Sequence, residues 1–263
     1  MRIATWNVNS VLARLPRLIE WLGVVEPDVL CLQELKTAEF PAEPVAELGY
    51  EVALHSTGRW NGVAVLSRIG VSDERPGLLD EPGYLPENAM LEATEPRSLG
   101  VTCGGLRIWS VYVPNGRESG HPHYDYKLQW LAALHATLAE ELPAHSRLAV
   151  LGDFNIAPTD ADVWDPAAFA ELTHVTPPER AALASLRELG LHDVVPRALK
   201  YDTPFTYWDY RAGMFHKNEG MRIDLVYATP AVADAVTDAY VDRNARKGKL
   251  PSDHAPVVVD LDL

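Results

Sequence analysis

Polar side chains recur at the ends of short apolar runs, and these residues are the ones whose types could do chemistry. Carboxylates beside buried strands are costly unless they are paired or bind a metal. If such side chains converge at one end of a sheet, their oxygen atoms form a site suited to Mg²⁺ or Mn²⁺. The residues concerned are Asn7, Gln33, Glu34, Asp153, Asn155, Asp224, Asp253 and His254.

Each of these positions also has an ordinary structural interpretation. Glu34 alone is typical of a cap or a surface acid, and residues 152–155 are typical of a turn, because Gly, Asp and Asn favour turns. Residues 252–254 could be a cap followed by a surface histidine, and Tyr112 could be a core or edge aromatic. Only the whole set, in its order and spacing, points to function.

The elements that must position these residues can be predicted from periodicity. Runs rich in Val, Ile and Leu, bounded by Asn, Asp, Gly or Pro, predict strands. Helical spacing of leucines predicts helices with clear stop signals. The predicted strands are 2–8, 29–33, 62–66, 106–113, 148–151, 223–227 and 257–261, and the helices are 12–22 before Glu26-Pro27, 128–138 before Pro143, and 183–189 before Gly190.

The order of these elements indicates the fold class. Strands outnumber helices, and helices do not follow every strand, which favours two β-sheets packed face to face with helices outside over a doubly wound sheet. No flexible linker, low-complexity tract or repeat interrupts the sequence. We therefore expect a single domain over residues 1–263.

Composition restricts the class of protein. The chain has 263 residues, 47% hydrophobic and 23% charged, as in soluble globular proteins. The N-terminus does not resemble a signal peptide, and no apolar run approaches the ~20 residues of a membrane span. We expect a soluble intracellular protein. Cys31 lies in an apolar run and predicts a small buried side chain, and two cysteines without metal-ligand spacing indicate a reducing compartment.

The charge distribution is uneven. The net charge of −14 argues against a polyanionic substrate. Locally, however, residues 243–249 carry four cations and no acid, which is compatible with a basic face on an acidic body. A bound metal ion would add further positive charge. The acids concentrate elsewhere, for example at Asp73, Glu74, Asp80, Glu81, Glu87 and Glu92.

From end to end the chain resembles the exonuclease III type of apurinic/apyrimidinic endonuclease, within the endonuclease/exonuclease/phosphatase superfamily. The Gly152-Asp153-Phe154-Asn155 segment and the Pro251-Ser252-Asp253-His254 segment resemble its catalytic motifs. The complete set of similar segments is 3–10, 27–36, 60–68, 111–116, 151–158, 209–224 and 251–257.

The resemblance implies a four-layer α-β-β-α sandwich of DNase I type, with two mixed sheets flanked by helices. It implies a magnesium-dependent phosphodiesterase, with Mn²⁺ able to substitute, that cuts duplex DNA 5′ to abasic sites. It also implies 3′→5′ exonuclease activity and cleaning of damaged 3′ ends. The protein would be a monomer in the cytoplasm, near the nucleoid in a bacterium, without a membrane partner.

The resemblance also implies roles for individual residues. Asp153, helped by Asn155, would activate water, and His254 held by Asp224 would donate a hydrogen bond to the phosphate. Asn7 and Tyr112 would help to hold that phosphate. The metal ligands would be Glu34, Asn9 and Asp253, and the DNA-contacting residues would be Asn115, Arg117, Trp208, Arg211, Phe215 and Arg222.

Other functions share part of this pattern. Inositol polyphosphate phosphatases, sphingomyelinases and DNase I-like nucleases share the Glu, Asp-x-Asn and Ser-Asp-His elements. Residues 112–116 and 207–211 with Phe215 distinguish this chain, because such aromatics suit a minor-groove wedge or an abasic pocket. Trp208 and Phe215 could equally be core aromatics. A phosphatase or phospholipase, and a non-catalytic DNA-binding protein on the same fold, remain alternatives.

One departure from the family pattern concerns the segment before the catalytic histidine. The family commonly has a glutamate shortly before Pro-Ser-Asp-His, whereas Gly248-Lys249-Leu250 precede Pro251 here. The difference bears on DNA affinity and leaves the catalytic set intact.

Overall fold

Two mixed β-sheets dominate the structure, a computed structural model that describes residues 1–85 and 90–263. Glu87, one of the acids noted above, lies outside the described residues. The strands are β1 (Arg2–Asn7), β2 (Val29–Gln33), β3 (Glu51–His55), β4 (Val63–Ser67), β5 (Ser72–Pro76), β6 (Ser98–Cys103), β7 (Leu106–Tyr112), β8 (Leu148–Asp153), β9 (His192–Asp193), β10 (Arg197–Ala198), β11 (Asp224–Ala228), β12 (Val236–Val241) and β13 (Val257–Leu261).

The helices lie outside the sheets. The helices are α1 (Val11–Val25), α2 (Ala42–Ala46), α3 (Pro122–Glu141), α4 (Pro166–Phe169), α5 (Pro177–Glu188), α6 (Met214–Lys217) and α7 (Pro230–Ala233), with short 3₁₀ turns at Asp160–Asp162, Arg211–Gly213 and Arg243–Arg246. Among the described residues, none of the helices combines the length and apolarity needed to cross a membrane.

The sheets pack face to face. One has the order β10-β12-β13-β1-β2-β4-β3, and the other has the order β5-β6-β7-β8-β11-β9. A buried apolar cluster between them draws residues such as Ile3, Val65, Ile108 and Val226 from both sheets. Cys31 and Cys103 belong to this cluster, and both are free thiols. The predicted burial of Cys31 is confirmed.

Two further apolar clusters complete the layers. Leu18 and Leu22 of α1 pack with Leu30 and Leu66 on the outer face of the seven-stranded sheet. Leu134 of α3 and residues of α5 pack on the outer face of the six-stranded sheet. The four-layer α-β-β-α sandwich predicted from the sequence is therefore confirmed.

The predicted elements are present, and the strands match better than the helices. All seven predicted strands form, with ends that move by at most two residues, whereas α3 and α5 each begin six residues before their predicted starts at 128 and 183. Helix α1 ends at Val25, where Glu26 adopts a left-handed backbone. The described strands that were missed include β6 and β12, which lie inside the sheets but have polar residues among their apolar ones. The others are β3, β5, β9 and β10, which lie at the sheet edges. An edge strand has one neighbour and exposes more of its surface, so it lacks the continuous apolar run of an interior strand.

Candidate active site

Three neighbouring strands of the six-stranded sheet place polar side chains side by side. Tyr112 at the end of β7 pairs with Asp153 at the end of β8, and Asp153 pairs with Asp224 at the start of β11. Gly152 lets β8 approach β7 closely, because a Cβ at this position would lie 1.9 Å from the carbonyl oxygen of Val111. The sequence Gly152-Asp153 is therefore dictated by packing as well as chemistry.

The Asp153 carboxylate is held through both oxygens. Asn7, at the end of β1 in the other sheet, donates from Nδ2 to Asp153 Oδ2 at 2.8 Å. The backbone N–H of Asn155 donates to Asp153 Oδ1 at 2.9 Å. The catalytic candidate therefore joins the two sheets, and its orientation is fixed.

The His254 ring is held equally firmly. Its Nδ1 donates to Asp224 Oδ2 at 2.8 Å, and its Nε2 lies 3.8 Å from Asp153 Oδ2. The backbone around it is fixed by Ser252, whose hydroxyl donates to the carbonyl of Asn7 and accepts from the His254 N–H. The indole of Trp6 donates to the His254 carbonyl at 3.2 Å.

Burial and charge shift the pKa values of both groups. Burial raises the pKa of the Asp153 carboxyl to about 7, although the adjacent His254 opposes the shift. Burial disfavours the charged His254 ring, but Asp224 and Asp153 outweigh it and raise the pKa of His254 to about 10. At neutral pH the ring is therefore a charged donor, and Asp153 is poised to accept a proton, as a general base requires.

These groups line a cavity of about 210 Å³. The Tyr207 ring packs against His254 with ring centroids 4.9 Å apart. The full lining is Glu34, Tyr112, Asn115, Asp153, Asn155, His174, Tyr207, Met221, Ile223, Asp253 and His254. The structure thus brings together most of the predicted catalytic residues around one small volume.

The cavity includes residues that the sequence-based site prediction missed. Tyr207 and Met221 lie directly beside Trp208 and Arg222 in sequence, but only Trp208 and Arg222 were predicted to contact DNA. His174 lies 3.1 Å from Asn115 Nδ2 through its Nε2. No local motif in the sequence marks His174, because it reaches the site through the path of its loop.

The amide and phenol groups at the cavity wall are ordered. Asn115 Nδ2 donates to Asn155 Oδ1 at 3.2 Å, and Asn155 Nδ2 donates to the Val113 carbonyl at 3.0 Å. Arg97 stacks on the Tyr112 ring at 4.7 Å. Burial, reinforced by the Glu34 carboxylate, raises the pKa of the Tyr112 phenol well above its ordinary value, so the hydroxyl stays a proton donor.

The three predicted metal ligands also lie close together. Lys36 Nζ is 2.7 Å from Glu34 Oε1 and 2.7 Å from Asn9 Oδ1. Asn9 Nδ2 donates to Asp253 Oδ1 at 3.0 Å. These side chains supply hard oxygen donors, and Glu34 and Asn9 already bond the positive charge of Lys36. The group therefore fits Mg²⁺ or Mn²⁺.

A second group could hold a cation. Ligand atoms of Asp153, Asp224 and His254 lie within 4.8 Å of one another. A histidine ligand must lose its proton to bind a metal, and the raised pKa of His254 opposes that loss. The Glu34 group is therefore the better fit.

The predicted DNA-contacting residues divide into exposed and buried sets. Arg117 and Arg211 are exposed, and Arg211 pairs with Asp209 at 2.6 Å. Trp208 is only 1% exposed, and Arg222 is 3% exposed with ion pairs to Asp162 and Asp193. Trp208 and Arg222 thus lie inside the protein, away from the surface that Arg117 and Arg211 present, and their contact with DNA stays a prediction. Tertiary packing decides their orientation.

The basic segment 243–249 is also divided. Arg243 stacks on the Phe215 ring at 3.8 Å and donates to the Phe215 carbonyl. Arg246 donates to the carbonyls of Ser252 and Trp208. Both arginines are buried, whereas Lys247 and Lys249 are exposed. Two of the four predicted DNA-facing cations therefore stabilise the protein interior, and the Phe215 ring is already occupied by packing.

Comparisons with known proteins place this arrangement in a family. Residues 4–254 match the endonuclease/exonuclease/phosphatase family. The DNA repair nuclease APEX1 of Danio rerio is 30% identical over 99% of this chain and 82% of its own length. A Neisseria 3′ phosphatase solved with a product DNA hairpin is 38% identical, with a TM-score of 0.92 over 100% of both chains.

An AP endonuclease from Archaeoglobus fulgidus is similarly close. It is 33% identical, with a TM-score of 0.90 and coverage of 100% of both chains. The resemblance drawn from the sequence motifs is confirmed. The chain therefore belongs to the endonuclease/exonuclease/phosphatase family.

Proposed function

We propose that the chain is a DNA repair nuclease that hydrolyses the phosphodiester 5′ to abasic sites in duplex DNA. We also assign it 3′→5′ exonuclease activity and removal of damaged 3′ groups. The names of its relatives, a DNA repair nuclease, an AP endonuclease and a 3′ phosphatase bound to product DNA, support this substrate class. The observation that carries the proposal is the buried Asp224–His254 pair beside Asp153 at the base of the cavity.

Phosphodiester hydrolysis needs an activated water and a stabilised phosphate, and the cavity supplies groups for both. Asp153 accepts the proton of the attacking water, and its hydrogen bonds from Asn7 and Asn155 keep the carboxylate aimed. His254, kept protonated by Asp224, donates from Nε2 to a non-bridging phosphate oxygen. The Tyr112 hydroxyl and the Asn115 amide hold the same phosphate from the other wall.

A divalent cation, Mg²⁺ with Mn²⁺ as substitute, belongs to this proposal. Glu34 would hold it, with Asn9 and Asp253 close by. When bound, it supplies positive charge that neutralises the phosphate and the leaving oxygen. The ammonium group of Lys36 already bonds Glu34 and Asn9, which shows that the oxygens of these two side chains can bind a positive charge.

The duplex would approach over the mouth of the cavity. Arg117 and Arg211 are exposed and able to meet phosphates, whereas Tyr207 and Met221 form an apolar wall beside His254. That wall suits a sugar that lacks its base. The core between the sheets draws on residues from Ile3 to Leu261, which supports one catalytic domain over the whole chain. We further propose that this domain acts as a monomer in the cytoplasm.

Incubation with 5′-end-labelled duplexes tests the proposal. An abasic duplex, an intact duplex and a duplex with a 3′-phosphate are each incubated with Mg²⁺ and with EDTA. We expect incision 5′ to the abasic site and loss of the 3′-phosphate, both abolished by EDTA. Faster hydrolysis of phosphoinositides or sphingomyelin than of any duplex would favour the phosphatase or phospholipase alternative. EDTA-insensitive binding without scission would favour a non-catalytic DNA-binding protein.

A further inference from the structure

A buried ion pair lies behind the phosphate-facing wall of the cavity. Lys127 of α3 and Glu179 of α5 approach to 2.5 Å, and both side chains are 0% exposed. Neither residue lines the cavity, and neither was singled out from the sequence. Their contacts, however, reach the loops that carry the site amides.

The ammonium group binds two backbone carbonyls of the site. Lys127 Nζ donates to the carbonyl of Asn155 at 2.7 Å and to the carbonyl of Asn115 at 3.1 Å. These are the two residues whose side-chain amides meet at the cavity wall. One buried cation therefore sets the distance between two loops that are 40 residues apart in sequence.

The carboxylate binds the third loop. Glu179 accepts from the His174 N–H at 3.0 Å and from the Thr173 hydroxyl at 2.7 Å. It also caps α5 by accepting from the N–H and hydroxyl of Thr176. Burial alone would raise the pKa of the Glu179 carboxyl, but Lys127 and these donors outweigh burial and lower it. The carboxylate is thus charged, and both of its oxygens accept hydrogen bonds.

The backbone at this wall needs such support. Asn155 and His174 both adopt positive φ values, 51° and 84°. Left-handed backbone at non-glycine residues costs energy and persists where surrounding contacts over-determine it. The carbonyl of Asn155 and the N–H of His174 are the atoms that the ion pair holds.

A buried ion pair is not in itself a stabilising device. Its desolvation penalty is large, and replacing both partners by apolar side chains of similar volume is often neutral or stabilising, whereas removing one partner is strongly destabilising. The ion pair by itself therefore does not explain the purpose of burying Lys127 and Glu179 at this position. The atoms they bind identify that purpose.

We propose that Lys127 and Glu179 are positioning residues that hold Asn115, Asn155 and the His174 loop in the geometry that grips the scissile phosphate. This inference rests on the proposed nuclease function. The pair serves folding as well, because Glu179 caps α5, so stability and turnover must be measured separately.

The test replaces the pair without leaving an isolated charge. The variant Lys127→Met/Glu179→Leu is compared with wild type in thermal unfolding and in kcat on the duplex substrate. We expect a lower melting midpoint, because the carbonyls of Asn115 and Asn155 and the N–H of His174 lose their buried partners. At a temperature where the variant is still folded, kcat should be lowered roughly 10–100-fold, because small misplacement of positioning groups has effects of this order. The binding of duplex in EDTA should persist.

A matched control is the buried pair Arg107–Glu141, which has a distance of 2.6 Å. Arg107 lies near the start of β7, at the other end of the strand from Tyr112. Arg107→Met/Glu141→Leu should leave kcat at the wild-type value. If it lowers kcat as much as the Lys127/Glu179 variant does, the positioning role is refuted.

A single isosteric change provides a second test if the double variant does not fold. Thr173→Val removes the hydroxyl that bonds Glu179 and the Asn115 carbonyl, and it should lower kcat several-fold in a folded protein. Wild-type kcat in a folded Lys127→Met/Glu179→Leu variant, or in Thr173→Val, would overturn the proposal. A wild-type protein with no activity on any duplex would instead refute the nuclease function itself.

Discussion

The cavity end of the sandwich and the segment 243–249 both carry many charged side chains, but different features of the fold fix the directions of those side chains. At the cavity end, Asp153 and Asp224 project from the paired ends of adjacent strands, so their convergence follows from sheet register. In the segment 243–249, two arginines turn inwards and two lysines face solvent. Strand ends fix the direction of a side chain, whereas a loop's composition does not.

The two inward-facing arginines make contacts that stabilise the fold. Arg243 and Arg246 are buried among aromatic rings, with Phe215 between them at 3.8 and 4.8 Å. Such contacts combine cation–π attraction with hydrogen bonds to carbonyls. They dock the segment that carries Tyr207 onto the segment that carries His254, because Arg246 binds carbonyls in both. The segment 243–249 thus helps to hold the site residues in place, in addition to presenting positive charge to solvent.

Removing the proposed catalytic base should give the largest effect. Asp153→Asn preserves bulk but removes the proton acceptor, so kcat should fall ~10²–10⁴-fold while binding of abasic duplex persists. Steady-state kinetics and a binding titration check both parts. Asp160→Asn, a change at an exposed acid paired with Arg180, is the matched control and should leave kcat unchanged. Turnover of Asp153→Asn within a few-fold of wild type would remove Asp153 from the mechanism.

The support of His254 by Asp224 can be measured without turnover. Burial lowers the pKa of the ring, and Asp224 and Asp153 raise it to about 10. Asp224→Asn removes the largest raising contribution, so the His254 pKa should fall by about 1–3 pH units. A ¹⁵N NMR titration of the metal-free protein follows the ring directly. An unchanged titration would show that Asp224 does not hold the proton on His254.

A stability comparison separates the inward and outward cations of segment 243–249. Arg246→Met leaves the carbonyls of Ser252 and Trp208 without their donor, so the free energy of unfolding should fall by about 1.5–3 kcal/mol. Lys247→Met changes an exposed side chain and should alter it by less than about 0.5 kcal/mol. Urea unfolding measures both variants. Equal effects would mean that the two cations play the same part.

The smallest expected effect concerns salt. If Lys247 and Lys249 each contact a phosphate, changing both to Ser should flatten the plot of log K against log[salt] by about 1.8, since each contact contributes about 0.9. Fluorescence anisotropy over a salt series measures this slope. Arg243→Ser should leave the slope unchanged, because Arg243 is buried. A slope that responds to Arg243 but not to the lysines would reverse the assignment.

Much of the fold could be predicted from the sequence. Interior strands such as β2 and β13 were predicted with their observed ends, because a strand buried on both faces is a continuous apolar run. The edge strand β5, with the sequence Ser-Asp-Glu-Arg-Pro, is largely exposed and carries no such signal. Its existence depends on pairing with β6, which no local pattern reveals.

The site was predictable in part for the same reason. Asp153, Asp224 and Asn7 stand at strand ends within distinctive motifs, and the structure brings them together. His174 arrives through a loop whose path depends on Glu179, so its position could not be predicted locally. Trp208 was predicted to contact DNA, but its side chain is buried and packs against Phe215, an orientation that no local pattern in the sequence reveals.

The proposed mechanism requires a divalent cation held by Glu34 at one corner of the cavity, beside Asp153 and His254. Anomalous diffraction from a crystal of the protein soaked in Mn²⁺ with product duplex locates that cation. The prediction is a peak about 2.1 Å from a Glu34 carboxylate oxygen, with the His254 ring still bonded to Asp224. A peak confined to Asp153, Asp224 and His254, with none at Glu34, would show that the cation does not bind where the mechanism requires it.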